Sequence, residues 1–171
     1  MKILFPTEFS EPALNAFRYA LIMADRWEAT IELFHVVYPQ VGALDLPILT
    51  TQATQEMVEV ARELLQVFKQ KALTEVEDQL SHPVSILTEV EVGIPESSIS
   101  RIVERDDIDL IIMGSRGENR SGIDKWMGSV AAGVVQKAPC PVIVIPENVA
   151  FESSLNVAYA TDISIGDPFE V

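Results

Sequence analysis

Cysteine is almost absent from this sequence: Cys140, set between Pro139 and Pro141, is the single one. One thiol cannot build a disulfide framework, so the chain suits a reducing cytoplasm and the thiol reads as a packed, inert side chain. Long apolar runs are also missing. None approaches the roughly 18 residues of a membrane-spanning helix, and the opening MKILFPTEF is too short in its apolar stretch for a signal peptide. Basic residues are few, 12 Lys and Arg against 26 Asp and Glu, giving a formal charge of -14. Such a field repels phosphate backbones and anionic membranes, so nucleic acid and membrane are excluded as partners. Any anionic ligand must be held by local backbone N–H groups and arginines. Only two histidines occur, and His35 has neither a nucleophile pattern nor a second ligand beside it. Near the end of a strand, a lone histidine reads as a packed side chain.

What is present suits one domain: 171 residues, 48% of them hydrophobic, bury one good core. Apolar Lys2 to Pro6 is the first strand. Ser10 is an N-cap for a helix to about Trp27, with Glu11 and Pro12 in its first turn and Leu14, Phe17 and Leu21 at helical spacing. Thr30 to Val37 is the second strand, and Tyr38 to Leu49, with two prolines and a glycine, reads as a long loop. A helix follows from about Thr51 to Ser81, whose expected buried stripe is Met57, Val60, Ala61, Leu64, Leu65, Phe68, Val76 and Leu80. Val84 to Val92 alternates apolar and polar residues, as a sheet-edge strand does, and a short helix spans Pro95 to Arg105.

The stretch Asp109 to Pro146 speaks most directly of function. Leu110, Ile111 and Ile112 make a buried strand that ends at Met113 and Gly114, and a polar run with two further glycines, Gly117 and Gly122, follows. Gly128-Ser129 then opens a helix to about Lys137 and leads to the apolar strand Val142 to Ile145. Helix-initial N–H groups lack intrahelical partners and, with the helix dipole, seat phosphate well. Arg116 and Arg120 lie in the same loop. The same arrangement also serves simply to reverse the chain, so spacing alone leaves both readings open. The loop is neither a Walker A, since Ile123 and Asp124 stand where Lys and Ser or Thr belong, nor a GxGxxG fingerprint.

Strands alternating with helices give an α/β fold, a five-stranded parallel doubly wound sheet of Rossmann-like type with helices on both faces. With strand order 3-2-1-4-5, strands one and four are neighbours and their carboxyl ends flank the switch point where open α/β sheets bind ligands. Thr7 and Glu8 then stand opposite Gly114 and Gly117.

In these residues the chain resembles the universal stress proteins, whose nucleotide-binding members carry Gly-x2-Gly-x9-Gly-(Ser/Thr) after the fourth strand. Gly114, Gly117, Gly128 and Ser129 match that pattern, and KAPCPVIVIP is also typical of the family. Residues 118 to 127 number ten where the pattern has nine. Pro6-Thr7-Glu8 stands where the family has Pro-Thr-Asp, one methylene longer at the carboxylate, and His35-Val36 matches the family's adenine-lining His-Val. The resemblance implies a site for ATP or AMP, with Mg²⁺ accompanying ATP, on Pro6, Thr7, Glu8, Val36, Met113, Gly114, Arg116, Gly117, Gly128, Ser129 and Val130. It implies a regulatory module of the stress response. A non-nucleotide dimerisation module is the alternative and a slow ATPase the weaker one, since no paired carboxylates, metal cluster or nucleophile-base pair announces dedicated catalysis.

The family pattern covers residues 1 to 146. Residues 147 to 154 read as a linker, and LNVAYATDIS echoes KILFPTEFS, so 155 to 171 read as the first strand and turn of a truncated second repeat, as in tandem members of the family. Chance similarity of a short strand and turn is the competing reading. That tail is expected to add to a sheet edge or a groove. The apolar strand 142 to 145 leaves a free edge that soluble proteins cover, and the resemblance implies a homodimer through it.

Overall fold

Burial on both faces dictates the central strands. In β1 (Lys2–Pro6), Ile3 and Phe5 enter one apolar layer and Leu4 the other, all three fully buried. Successive side chains of a strand point to opposite faces, so a strand covered by apolar layers on both sides, as β1 is, is apolar throughout its middle. β4 (Leu110–Gly114) repeats the division: Leu110 and Ile112 join Ile3, whereas Ile111 and Met113 join Leu4. The computed structural model describes residues 1–38, 47–115, 128–147, 149 and 151, with backbone alone for 47–50.

The remaining elements follow in alternation. They are α1 (Glu11–Trp27), β2 (Thr30–Val37), α2 (Pro47–Val76) with a 3-10 turn at Glu77–Gln79, β3 (Ile86–Val92), α3 (Pro95–Arg105), α4 (Ser129–Lys137) and β5 (Val142–Ile145). All ladders are parallel and the sheet order is β3-β2-β1-β4-β5, as expected. Leu14, Phe17 and Leu21 of α1 and Leu65, Phe68 and Ala72 of α2 cover one face; Ile99, Ile102 and Val103 of α3 and Ala131 and Val134 of α4 cover the other. Cys140 is half-buried against this second layer, and burial pushes its thiol pKa up, as suits an inert side chain.

Three expectations are corrected. Helix α2 starts at Pro47, inside the stretch read as loop, because a proline in a helix's first turn forfeits no hydrogen bond. It ends at Val76, short of Ser81, whose N–H and that of His82 donate to the buried carboxylate of Asp25 at 3.0 and 2.8 Å. β3 starts two residues late, at Ile86. The third correction concerns packing. Met57, Val60 and Leu64 are 41%, 55% and 43% exposed, whereas Ala61, Leu65, Phe68, Ala72 and Val76 are buried. The domain's own core occupies only one stripe of this long helix.

After β5 the chain returns over the outer side of α1. Asn15 Nδ2 donates to the Val149 carbonyl at 3.0 Å, and Phe151 packs edge-on to Tyr19 with the Arg26 guanidinium 4.5 Å above its ring. The expected second repeat, 155–171, lies outside the described residues.

One buried acid sits on the sheet. Glu32 of β2 has a carboxylate oxygen within 4.8 Å of those of Glu89 and Asp106, with the Arg105 guanidinium 3.9 Å away. Burial first, then the charges of Asp106 and Glu89, push its pKa up from 4.5 to about 7, against the pull of Arg105. The folded state therefore holds a proton that the unfolded chain releases, and Glu32's contribution to stability is complete below pH 4.5 and lost as pH rises to about 7. Glu32→Gln should melt above the wild type at about pH 8 and lose that advantage at about pH 4. Differential scanning fluorimetry across that range checks this; a variant advantage that does not change with pH contradicts it.

Candidate functional site

The β1–β4 ladder carries the pairs Ile3–Leu110 and Leu4–Ile111, whereas β1–β2 pairing runs on to Pro6–Phe34 and β4–β5 pairing to Gly114–Ile145. Beyond Leu4 and Ile111, β1 and β4 part from each other while each stays bound to its outer neighbour. β1 hands the chain to α1 on one face and β4 leads to α4 on the other, which is the arrangement of a topological switch point. At such a switch point the general architecture of open α/β sheets puts a crevice outside the carboxyl ends of the two central strands.

On the β1 side the turn is held tightly. The Thr7 N–H donates to the Phe34 carbonyl at 2.9 Å, its Oγ1 accepts from the Phe9 N–H at 3.0 Å, and its carbonyl accepts from His35 Nδ1–H at 2.7 Å. A carbonyl only accepts, so His35 carries its proton on Nδ1. Burial holds the imidazole pKa below its usual value, with the Thr7 bond opposing. Phe9 stands in left-handed backbone (φ 68°), uncommon for an aromatic residue, with its ring 4.4 Å from that of His35 and 5.9 Å from that of Phe68. His35 is thus a packed side chain that anchors the turn. Glu8 is exposed and accepts a short hydrogen bond from the hydroxyl of Ser10, which is itself buried as the α1 cap. Val36 is half-buried and joins the core layer of Leu4 and Met113.

On the β4 side Met113 is buried, Gly114 ends the strand, and buried Ser115 donates its N–H to the Ile145 carbonyl at 2.9 Å. The Ser115 carbonyl accepts from the Gly128 N–H at 2.7 Å, so the two ends of the glycine-rich segment are tied together. Gly128 is the N-cap of α4, with no side-chain cap bond, and its carbonyl takes the Ala132 N–H at 2.9 Å. The N–H groups of Ser129, Val130 and Ala131 precede that first intrahelical bond. Gly128 has φ -67°, a value open to any residue, so local backbone geometry does not itself demand glycine there.

Pro6, Thr7, Glu8, Met113, Gly114, Gly128, Ser129 and Val130 thus converge on one end of the sheet, with Val36 one strand away. Arg116 and Gly117 lie outside the described residues. Two contributors escaped the sequence reading. Ser115 had looked like part of a polar loop, and only topology shows its carbonyl meeting Gly128. The left-handed turn at Phe9 has no sequence signal, since neither Gly nor Asn stands there.

The sequence model of the universal stress protein family matches residues 1–146. The chain belongs to this family. A universal stress protein of Methanocaldococcus jannaschii is 33% identical over 148 residues, spanning 84% of this chain and 81% of the relative. Among solved structures, the universal stress protein UspA from Lactobacillus plantarum is 29% identical with a TM-score of 0.70, covering 85% of this chain and 97% of its own. A universal stress protein from Archaeoglobus fulgidus, solved in complex with dAMP, is 20% identical with a TM-score of 0.51, covering 84% and 96%. At that identity it shows the fold alone.

In this universal stress protein, the Ser10 hydroxyl both caps α1 and bonds Glu8, so it couples helix stability to the shape of the crevice rim. Ser10→Ala should lower the unfolding free energy by about 1 kcal/mol, the usual cost of a lost cap. Urea unfolding checks this; an unchanged midpoint and slope would mean that water caps the helix equally well.

Proposed function

We propose that the chain is an adenine-nucleotide-binding regulatory module of the stress response. The observation that carries this reading is the crevice between β1 and β4, with the start of α4 tied to its rim through the Ser115–Gly128 bond. The nucleoside would lie between Pro6-Thr7-Glu8 and Val36, with Met113 at its floor; a carboxylate such as Glu8 suits ribose hydroxyls because it only accepts hydrogen bonds. The phosphates of ATP or AMP would meet the backbone of Gly114, Gly117, Gly128, Ser129 and Val130, assisted by Arg116. In a chain of charge -14 such local donors are what an anion needs. Mg²⁺ would enter with ATP, carried mainly by phosphate oxygens. A universal stress protein that shares the fold was solved in complex with dAMP, which makes an adenine nucleotide the ligand to test first.

The module is read as a binder, with ATP hydrolysis at most slow. A homodimer through the β5 edge completes the proposal: β5 ends the sheet, and Val142, Ile143 and Val144 are only half-buried there. That same edge favours the second reading, a dimerisation module that binds no nucleotide. Residues 147–171 are proposed as a linker and the opening of a second repeat.

Calorimetry with ATP and Mg²⁺ separates the two readings. Wild type should bind and Gly128→Val should bind at least about tenfold more weakly, because branched bulk at the N-cap blocks close approach of phosphate to backbone. No heat at millimolar nucleotide, or equal heats from both proteins, would favour the dimerisation module.

A further inference from the structure

Helix α2 carries more apolar surface than its own domain uses. Beside the buried row of Ala61, Leu65 and Phe68 runs a second row, Met57, Val60, Leu64 and Val67, which are 41%, 55%, 43% and 65% exposed. The spacing of three, four and three residues sets them on one helical face about 15 Å long. Scattered exposed hydrophobics need no explanation, but four large ones in a continuous seam do. Next to this seam, on the side away from the core, lie exposed Glu56, Glu59 and Glu63, of which Glu59 pairs with Arg62 one turn on.

We propose that this face of α2 docks an amphipathic helix from a partner protein, whose apolar stripe covers Met57, Val60, Leu64 and Val67 and whose lysine- or arginine-bearing flank meets Glu56 and Glu63. Charge selects this occupant. A second copy packed antiparallel on the same seam would bring the glutamate row against its own image, and like charges across a helix pair oppose association. The chain's own last residues, 152–171, include Glu152, Asp162, Asp167 and Glu170 with no Lys or Arg, so they carry the wrong sign. The described residues just before them, Val149 and Phe151, rest on α1. A basic flank on a foreign helix meets both the apolar and the charge requirement, as in other helix-in-groove complexes.

Fluorescence anisotropy on the full chain tests this with synthetic helical peptides of about 18 residues, long enough to span the seam. One peptide has a leucine stripe flanked by lysine, one the same stripe flanked by glutamate, and one the first composition scrambled so that no stripe forms. The lysine-flanked peptide should bind, the glutamate-flanked one should not, and Val60→Asp/Leu64→Asp should weaken the first at least about tenfold. Those substitutions add negative charge, so attraction by charge alone would strengthen binding; a loss reports the apolar seam. Both sites are exposed, and an unchanged melting temperature verifies the fold. Equal binding by wild type and double variant, or equal binding of the scrambled peptide, overturns the proposal. So does a wild-type oligomer that the double variant dissociates in light scattering, for then a second copy covers the face.

Discussion

The whole architecture rests on β1 being buried on both faces between β2 and β4. Ile3, Leu4 and Phe5 have no exposed surface, and each takes part in a different apolar layer from its neighbour in sequence. Each such side chain contributes about 1.5 to 3 kcal/mol of burial, so the centre of the sheet is where stability is concentrated. Placing β1 at the centre forces its two neighbours to be reached by crossovers on opposite faces, because right-handed connections admit no other winding. The divergence of β1 and β4 past Leu4 and Ile111 follows from that winding. The crevice is thus a by-product of the most stable part of the fold, which is why side chains around it are held so firmly.

The polar groups on the β1 side of the crevice are largely committed to holding its backbone. Thr7 has its N–H, hydroxyl and carbonyl all committed to Phe34, Phe9 and His35. His35 is desolvated and donates through Nδ1 to a carbonyl, a posture that orders the turn. What faces outward is the exposed carboxylate of Glu8 and the first turn of α4. Under the proposed function these would be the recognition elements, and the local donors of α4 explain how so acidic a chain can be read as holding an anion.

Much of the fold was legible because its signals are local. The apolar runs of β1, β4 and β5 and the Ser10 cap appear where composition and spacing put them, and the alternation of β3 correctly marked a sheet edge. Given the order 3-2-1-4-5, the placing of Thr7 and Gly114 at the same end of the sheet followed from topology. Failures came where a local signal has two meanings. Pro47 reads as a loop residue and is a helix start. Met57, Val60 and Leu64 read as core because periodicity reports that a helix has an apolar face, not what covers it. The contacts of Ser115 and Phe9 were invisible because they depend on where distant backbone atoms meet.

The central claim, that an adenine nucleotide sits at the carboxyl ends of β1 and β4, is tested most directly by titrating ¹⁵N-labelled protein with ATP and Mg²⁺ and following its amide resonances. The account predicts shifts at Thr7, Glu8, Val36, Gly114, Ser115, Gly128, Ser129 and Val130, with Ile86, Leu87 and the amides of α1 beyond Phe17 unmoved. Shifts clustered away from these residues, or none at millimolar nucleotide, would contradict it.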